Sequence, residues 1–149
     1  VLPATTFLED CLPGAGHVFG PKLKDKGLED AAFGMRIAKE TSRLDIGQSV
    51  VVRQGTVLAE EAFEGTDKCV RRGGELGKGK NVKLVKVSKP KQDLRFDVPV
   101  VGPDTVNSCH EAGVSAIVIE AGKTLLLGMD DVKRLCEQHK ISLHAVAPD

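Results

Sequence analysis

Two acidic residues three positions apart, Glu64 and Asp67 in the stretch AFEGTDKCV, stand where a β-prone run gives way to a helical pattern. Carboxylates beside the free N–H groups of a helix start are the parts needed to hold a divalent metal and a phosphate together. The same residues also suit plain helix capping, with a Thr66 or Asp67 oxygen accepting from first-turn amides. A second polar segment, KPKQDLRFD, interleaves Lys89, Lys91 and Arg95 with Gln92, Asp93 and Asp97. Arg offers a phosphate a fixed fork and Lys a point charge, while Asp oxygens suit a hard cation. The alternative is a solvated loop whose opposite charges neutralise each other. In a third segment, EAGKTLL, backbone amides near Gly122 could meet an anion, or the glycine merely allows a tight connection. Taken together, these are parts for metal-assisted phosphoryl transfer, in which an ion bridges phosphate oxygens and cations neutralise developing charge. Neither G-x-x-x-x-G-K-[ST] nor G-x-G-x-x-G occurs, so P-loop and dinucleotide-binding chemistry are not indicated.

Composition narrows the partners. The chain has 149 residues, 41% of them hydrophobic, which suffices for one domain with its own core. Lys plus Arg and Asp plus Glu both number 21, so no overall field draws in nucleic acid or an anionic membrane. Trp and Tyr are absent, which leaves little for base stacking and further disfavours nucleic acid. Cys11, Cys69, Cys109 and Cys136 form no C-x-x-C pair, and the four histidines fall in no ligand pattern. Buried reduced thiols in a cytoplasmic protein are expected. No apolar run is long enough for a membrane span and no secretory leader is visible. A start at Val1 rather than Met suggests a processed piece.

The polar segments need elements to hold them. Residues 1–27, rich in Pro and Gly, read as a loop-rich linker or approach. Apolar residues from Leu28 to Leu44 recur at helical spacing. QSVVVRQ and TVLAEEA make a hairpin turning near Gln54-Gly55, and the second strand delivers the chain to Glu64. A short helix from Asp67 to about Leu76 is weakened by Gly73 and Gly74. VKLVKV reads as a half-exposed strand with Lys83 and Lys86 on its polar face. Pro103 opens a helix that stops at Gly113, VSAIVIE is a buried strand, and AGKTLLLG contains a further short one. Asp130 or Asp131 opens the last helix before the strand ISLHAV. The predicted fold is a single α/β domain at 28–149: a mixed β-sheet flanked by helices, beginning with a helix and a β-hairpin. Its binding loops should follow Ala62, Val87 and Glu120, at carboxyl ends of strands.

LDIGQSVVV, VLAEEAFEGTD, VKVSKPKQDLRFDVPVVGP and IVIEAG, in that order, resemble the C-terminal domain of the LpxI family of UDP-2,3-diacylglucosamine pyrophosphatases. The resemblance implies a hydrolase dependent on magnesium (Mg2+) or another divalent metal. It would split UDP-2,3-diacylglucosamine into UMP and 2,3-diacylglucosamine 1-phosphate (lipid X) during lipid A synthesis in Gram-negative bacteria. It also implies an N-terminal Rossmann-like half outside this chain, with ligand between the halves. The family's essential aspartate aligns with Asp67, beside Glu64. Asp67 and Asp93 become candidate metal ligands; Thr66, Lys89, Gln92, Arg95 and Gly122 become candidate substrate contacts. A homodimer is possible, and membrane contact would be peripheral, through the lipid substrate at the inner face of the inner membrane. Two other readings remain open: a nucleotide-sugar or phosphate-binding module without turnover of its own, and an oligomerisation domain.

Overall fold

The computed structural model describes residues 12–89 and 99–148. Eight strands and four helices follow one another as β1 (Gly16–Phe19), α1 (Asp25–Arg43), β2 (Ser49–Arg53), β3 (Thr56–Glu60), α2 (Thr66–Leu76), β4 (Val82–Lys86), β5 (Val100–Val101), α3 (Pro103–Ala112), β6 (Val114–Glu120), β7 (Leu125–Leu126), α4 (Met129–His139) and β8 (Ser142–Val146) among the described residues. Six strands form a mixed sheet in the order β1-β8-β6-β4-β2-β3. Its centre, β4, β6 and β8, is parallel, and β1, β2 and β3 add antiparallel edges. This is the expected α/β class.

Side-chain alternation divides the core into two layers. Val50, Val52, Val85, Val87 and Val118 face Ala31, Met35 and Ala38 of α1. Val51, Leu84, Ile117, Ile119 and Leu143 point the other way, into a larger cluster with Cys69, Val106, Val132 and Cys136 of the remaining helices. The hairpin turns at Gln54-Gly55, with φ of 49° and 74°; two left-handed residues in succession match the twist of the flanking strands.

Three expectations need correction. The loop-rich segment before residue 28 contains β1, an edge strand antiparallel to β8, so the described fold opens on a strand. VKLVKV is not half exposed: β4 lies between β2 and β6, and Val82, Lys83, Leu84 and Val85 are all buried. Lys83 and Lys86 are an odd number of residues apart and so leave the strand on opposite faces. Gly73 and Gly74 are packing devices in α2. A β-carbon on Gly73 would collide with the Val51 side chain, and one on Gly74 with the Ala112 backbone carbonyl. The glycines that lower helix propensity are what let α2 lie close to β2 and α3.

Candidate functional site

Because β4, β6 and β8 are parallel and β2 and β3 antiparallel, one edge of the sheet collects the exits of β3, β4, β6 and β8 with the entry to β2. Helix α2 starts at this edge. Its N-cap is Gly65, at φ 93°, and no side chain of the described residues caps it. The first helical bond runs from Cys69 N to Gly65 O, and the amides of Thr66, Asp67 and Lys68 find no acceptor among the described residues. The capping alternative therefore fails for both oxygens. The Thr66 hydroxyl instead approaches Ser49 Oγ at 3.3 Å and Glu61 Oε1 at 3.4 Å. Asp67 is exposed in the first turn, where a carboxylate also meets the favourable end of the helix dipole.

Glu64 folds back on its own loop. Its Oε1 accepts from Ala62 N at 3.3 Å and lies 3.7 Å from Arg72. Lys89, just past β4, pairs with exposed Asp45 at 3.5 Å. Gln92, Asp93 and Arg95 lie outside the described residues. Gly122 differs from the expectation of a free amide: its N–H donates to Pro13 O at 2.8 Å, while Ala121 N and Lys123 N are bonded to Val146 O and Glu120 O. Those three amides are therefore not free to meet an anion.

Two groups that matter here were not singled out from sequence. Glu120, fully buried at the end of β6, accepts from Ser88 N (2.9 Å), Ser88 Oγ (2.8 Å) and Lys39 Nζ (3.0 Å), with Lys123 at 3.6 Å. Burial alone would raise its carboxyl pKa, but the Ser88 N–H and Lys39 outweigh it and hold Glu120 below the ordinary Glu range. Ser42 Oγ donates to Ser88 O at 2.8 Å, so Ser88 is held from both sides. The other group is Lys86, the last residue of β4. Burial depresses its pKa, while the carboxylates of Glu61 and Asp67 oppose that shift. A lysine closing a strand beside a polar loop was the available signal; reading β4 as half exposed concealed it.

Two hollows border these residues. One of 340 Å³ runs along the groove between α2 and α3, lined by Asp67, Arg71, Ser108 and Glu111; the other, of 610 Å³, lies beside α1 and includes Lys39, Glu120 and Lys123. A larger cavity of 870 Å³ sits at the opposite edge and includes Asp30 and Lys83. Those two form a buried ion pair at 3.0 Å, and Asp30 also accepts from Gln54 N and Gly55 N. This satisfied cluster fastens the hairpin to α1 and β4, far from Asp67. Among the described residues, no group of three or more His, Cys, Asp or Glu is gathered as a metal cage, and no helix is long and apolar enough to cross a membrane.

A family model described as the LpxI C-terminal domain matches residues 14–144. The chain is 39% identical over 139 residues to UDP-2,3-diacylglucosamine pyrophosphatase LpxI of Caulobacter vibrioides. That alignment covers 81% of this chain and 50% of the relative, so the chain spans about half the length of the curated protein it matches. Among solved structures, apo dCMP deaminase from the cyanophage S-TIM5 is similar at a TM-score of 0.44 and 13% identity, over 78% of this chain and 96% of that one. At that distance the likeness carries no argument about fold or reaction.

Proposed function

Since the chain belongs to the family of the LpxI C-terminal domain, we propose that it supplies half of a UDP-2,3-diacylglucosamine pyrophosphatase that releases UMP and lipid X. The observation that supports this most is the start of α2. Three first-turn amides without acceptors among the described residues and an exposed Asp67 lie at the carboxyl edge of the sheet, where Lys86 ends β4 beside Ser49, whose hydroxyl reaches Thr66. Amides and cation suit the phosphates, and the carboxylate suits a metal or a water.

The donor set fits magnesium rather than an all-protein cage. Magnesium asks for one or two carboxylates and takes its remaining ligands from substrate phosphates and water. Asp67 provides the first carboxylate, and Asp93, outside the described residues, would be the second. When bound, the ion would neutralise phosphate charge and favour attack at phosphorus. The amides of Thr66 to Lys68 hold phosphate oxygens, and Glu64, braced by Arg72, lies beside the attacking water. Lys89, Gln92 and Arg95 engage the rest of the pyrophosphate. Glu120 takes no direct part; it fixes Ser88, and with it the root of the segment that bears these residues.

A second reading follows from the half-length match: alone, this domain binds the nucleotide-sugar phosphates without turnover. UMP release from UDP-2,3-diacylglucosamine, with magnesium or with EDTA, distinguishes the two when this chain, the family's N-terminal half and their mixture are compared. Metal-dependent release by the mixture alone is expected. Release that persists undiminished in EDTA would contradict the role given to the metal, and none from a folded, associated mixture would contradict the activity.

A further inference from the structure

We propose that Lys86 is a catalytic residue of this site, its ammonium contacting the pyrophosphate group beside the start of α2; the proposal rests on the functional reading above. Lys86 closes the central strand β4, paired with Ser49 on one side and Ile119 on the other. Ile119 and the Ser49 hydroxyl, which touches Thr66, place that pair on the α2–α3 face of the sheet. The side chain is half-buried, and its Nζ donates to Val100 O of β5 at 2.9 Å. Glu61 and Asp67 are near enough to favour its charge, yet it forms no ion pair with a carboxylate of the described residues.

The contrast with Lys83 is informative. Three residues earlier on the same strand, that lysine is buried on the opposite face and meets Asp30 directly at 3.0 Å, with Asn81 O at 3.2 Å. There the fold neutralises a structural cation completely. An ammonium has three N–H donors, and among the described residues Lys86 uses one, on a neutral carbonyl. A half-buried cation that meets no carboxylate directly among the described residues keeps N–H donors that a ligand can take, and such partly desolvated groups are enriched at functional sites. The ligand chemistry that suits spare ammonium donors next to free helix amides is a phosphate oxygen.

In the reaction, a water oxygen forms a bond to one phosphorus. The bridging P–O bond breaks, its electron pair leaves with the departing phosphate, and the two water protons pass to solvent. Lys86 stays protonated throughout, and its charge offsets the negative charge that gathers on the phosphoryl oxygens.

Two measurements test this. The first titrates inorganic pyrophosphate, with magnesium present, into this chain as wild type, Lys86→Met and Lys86→Arg, with melting temperatures recorded alongside. The expected result is pyrophosphate affinity weakened about tenfold or more in Lys86→Met and partly restored in Lys86→Arg, with a melting temperature equal to or above wild type. The second measures turnover in the mixture with the N-terminal half, where Lys86→Met should lower kcat about 100-fold. Unchanged affinity in Lys86→Met, no pyrophosphate binding by the wild type, or affinity and melting temperature falling together without rescue by Arg would each overturn the assignment. A wild type that binds pyrophosphate through Lys86 but releases no UMP would instead count against the proposed reaction, leaving the phosphate contact standing.

Discussion

Glu120 Oε1 accepts both the backbone N–H and the hydroxyl of Ser88, at 2.9 and 2.8 Å. A fully buried carboxylate at the end of β6 thereby fixes the exit of the neighbouring parallel strand, from which the segment bearing Lys89, Gln92, Asp93 and Arg95 departs. Lys39 of α1 balances the charge, so α1, β6 and the end of β4 share one polar junction.

Replacing Glu120 with Gln should lower stability at neutral pH and reduce turnover by loosening Ser88 and the neighbouring Lys89. Its folded pKa is depressed, so its stabilisation is complete above the ordinary Glu value of 4.5 and is lost as pH falls through the lower folded value. Urea denaturation of wild type and variant at pH 7 and in the acid range checks this: the difference between them should shrink on acidification. A difference that grows would contradict the junction described here.

Asp30→Asn should be the more damaging change, at about 3 kcal/mol or more, because it strands the Lys83 ammonium in the interior. A double variant, Asp30→Asn with Lys83→Met, removes the unpaired charge and should recover part of that loss. Recovery stays incomplete, since Asp30 also receives the Gln54 and Gly55 amides of the hairpin. A double-mutant cycle by urea denaturation measures the coupling.

Gly73→Ala tests whether propensity or packing governs α2. Alanine should gain about 1 kcal/mol as a helix former. Against this, its methyl meets the Val51 side chain, and overpacking of that kind costs about 1 to 3 kcal/mol. A lower melting temperature is expected, and a higher one would mean that the α2–β2 contact gives way easily.

The described cysteines should resist alkylation in the folded state. Burial pushes Cys69 and Cys109 up to about 12 and Cys136 to about 11, which leaves almost no thiolate at neutral pH. Iodoacetamide labelling followed by mass spectrometry should find these three sites modified only after denaturation.

Much of this architecture was legible in the residues. The Gln54-Gly55 turn, the Pro103 helix with its stop at Gly113 and the buried run VSAIVIE each carry a local signal strong enough to survive tertiary context. β1 escaped because a four-residue edge strand among prolines and glycines has too few residues to show a period. β4 was misread for a different reason: its lysines look like a solvated face, but the buried Asp30 and the Val100 carbonyl that receive them are distant in sequence. The site was half legible. EGTD pointed to the start of α2, whereas the Glu120–Ser88 bond joins residues 32 positions apart and only the sheet order brings them together.

The most direct test of the central claim compares wild type and Asp67→Ala, each mixed with the N-terminal half and assayed for UMP release from UDP-2,3-diacylglucosamine with magnesium, with melting temperatures measured in parallel. Asp67 caps nothing, so its removal should cost at most about 1 kcal/mol through the helix dipole, while UMP release should fall to background. Turnover preserved in Asp67→Ala, or lost only in step with unfolding, would contradict the assignment of this edge as the reacting site.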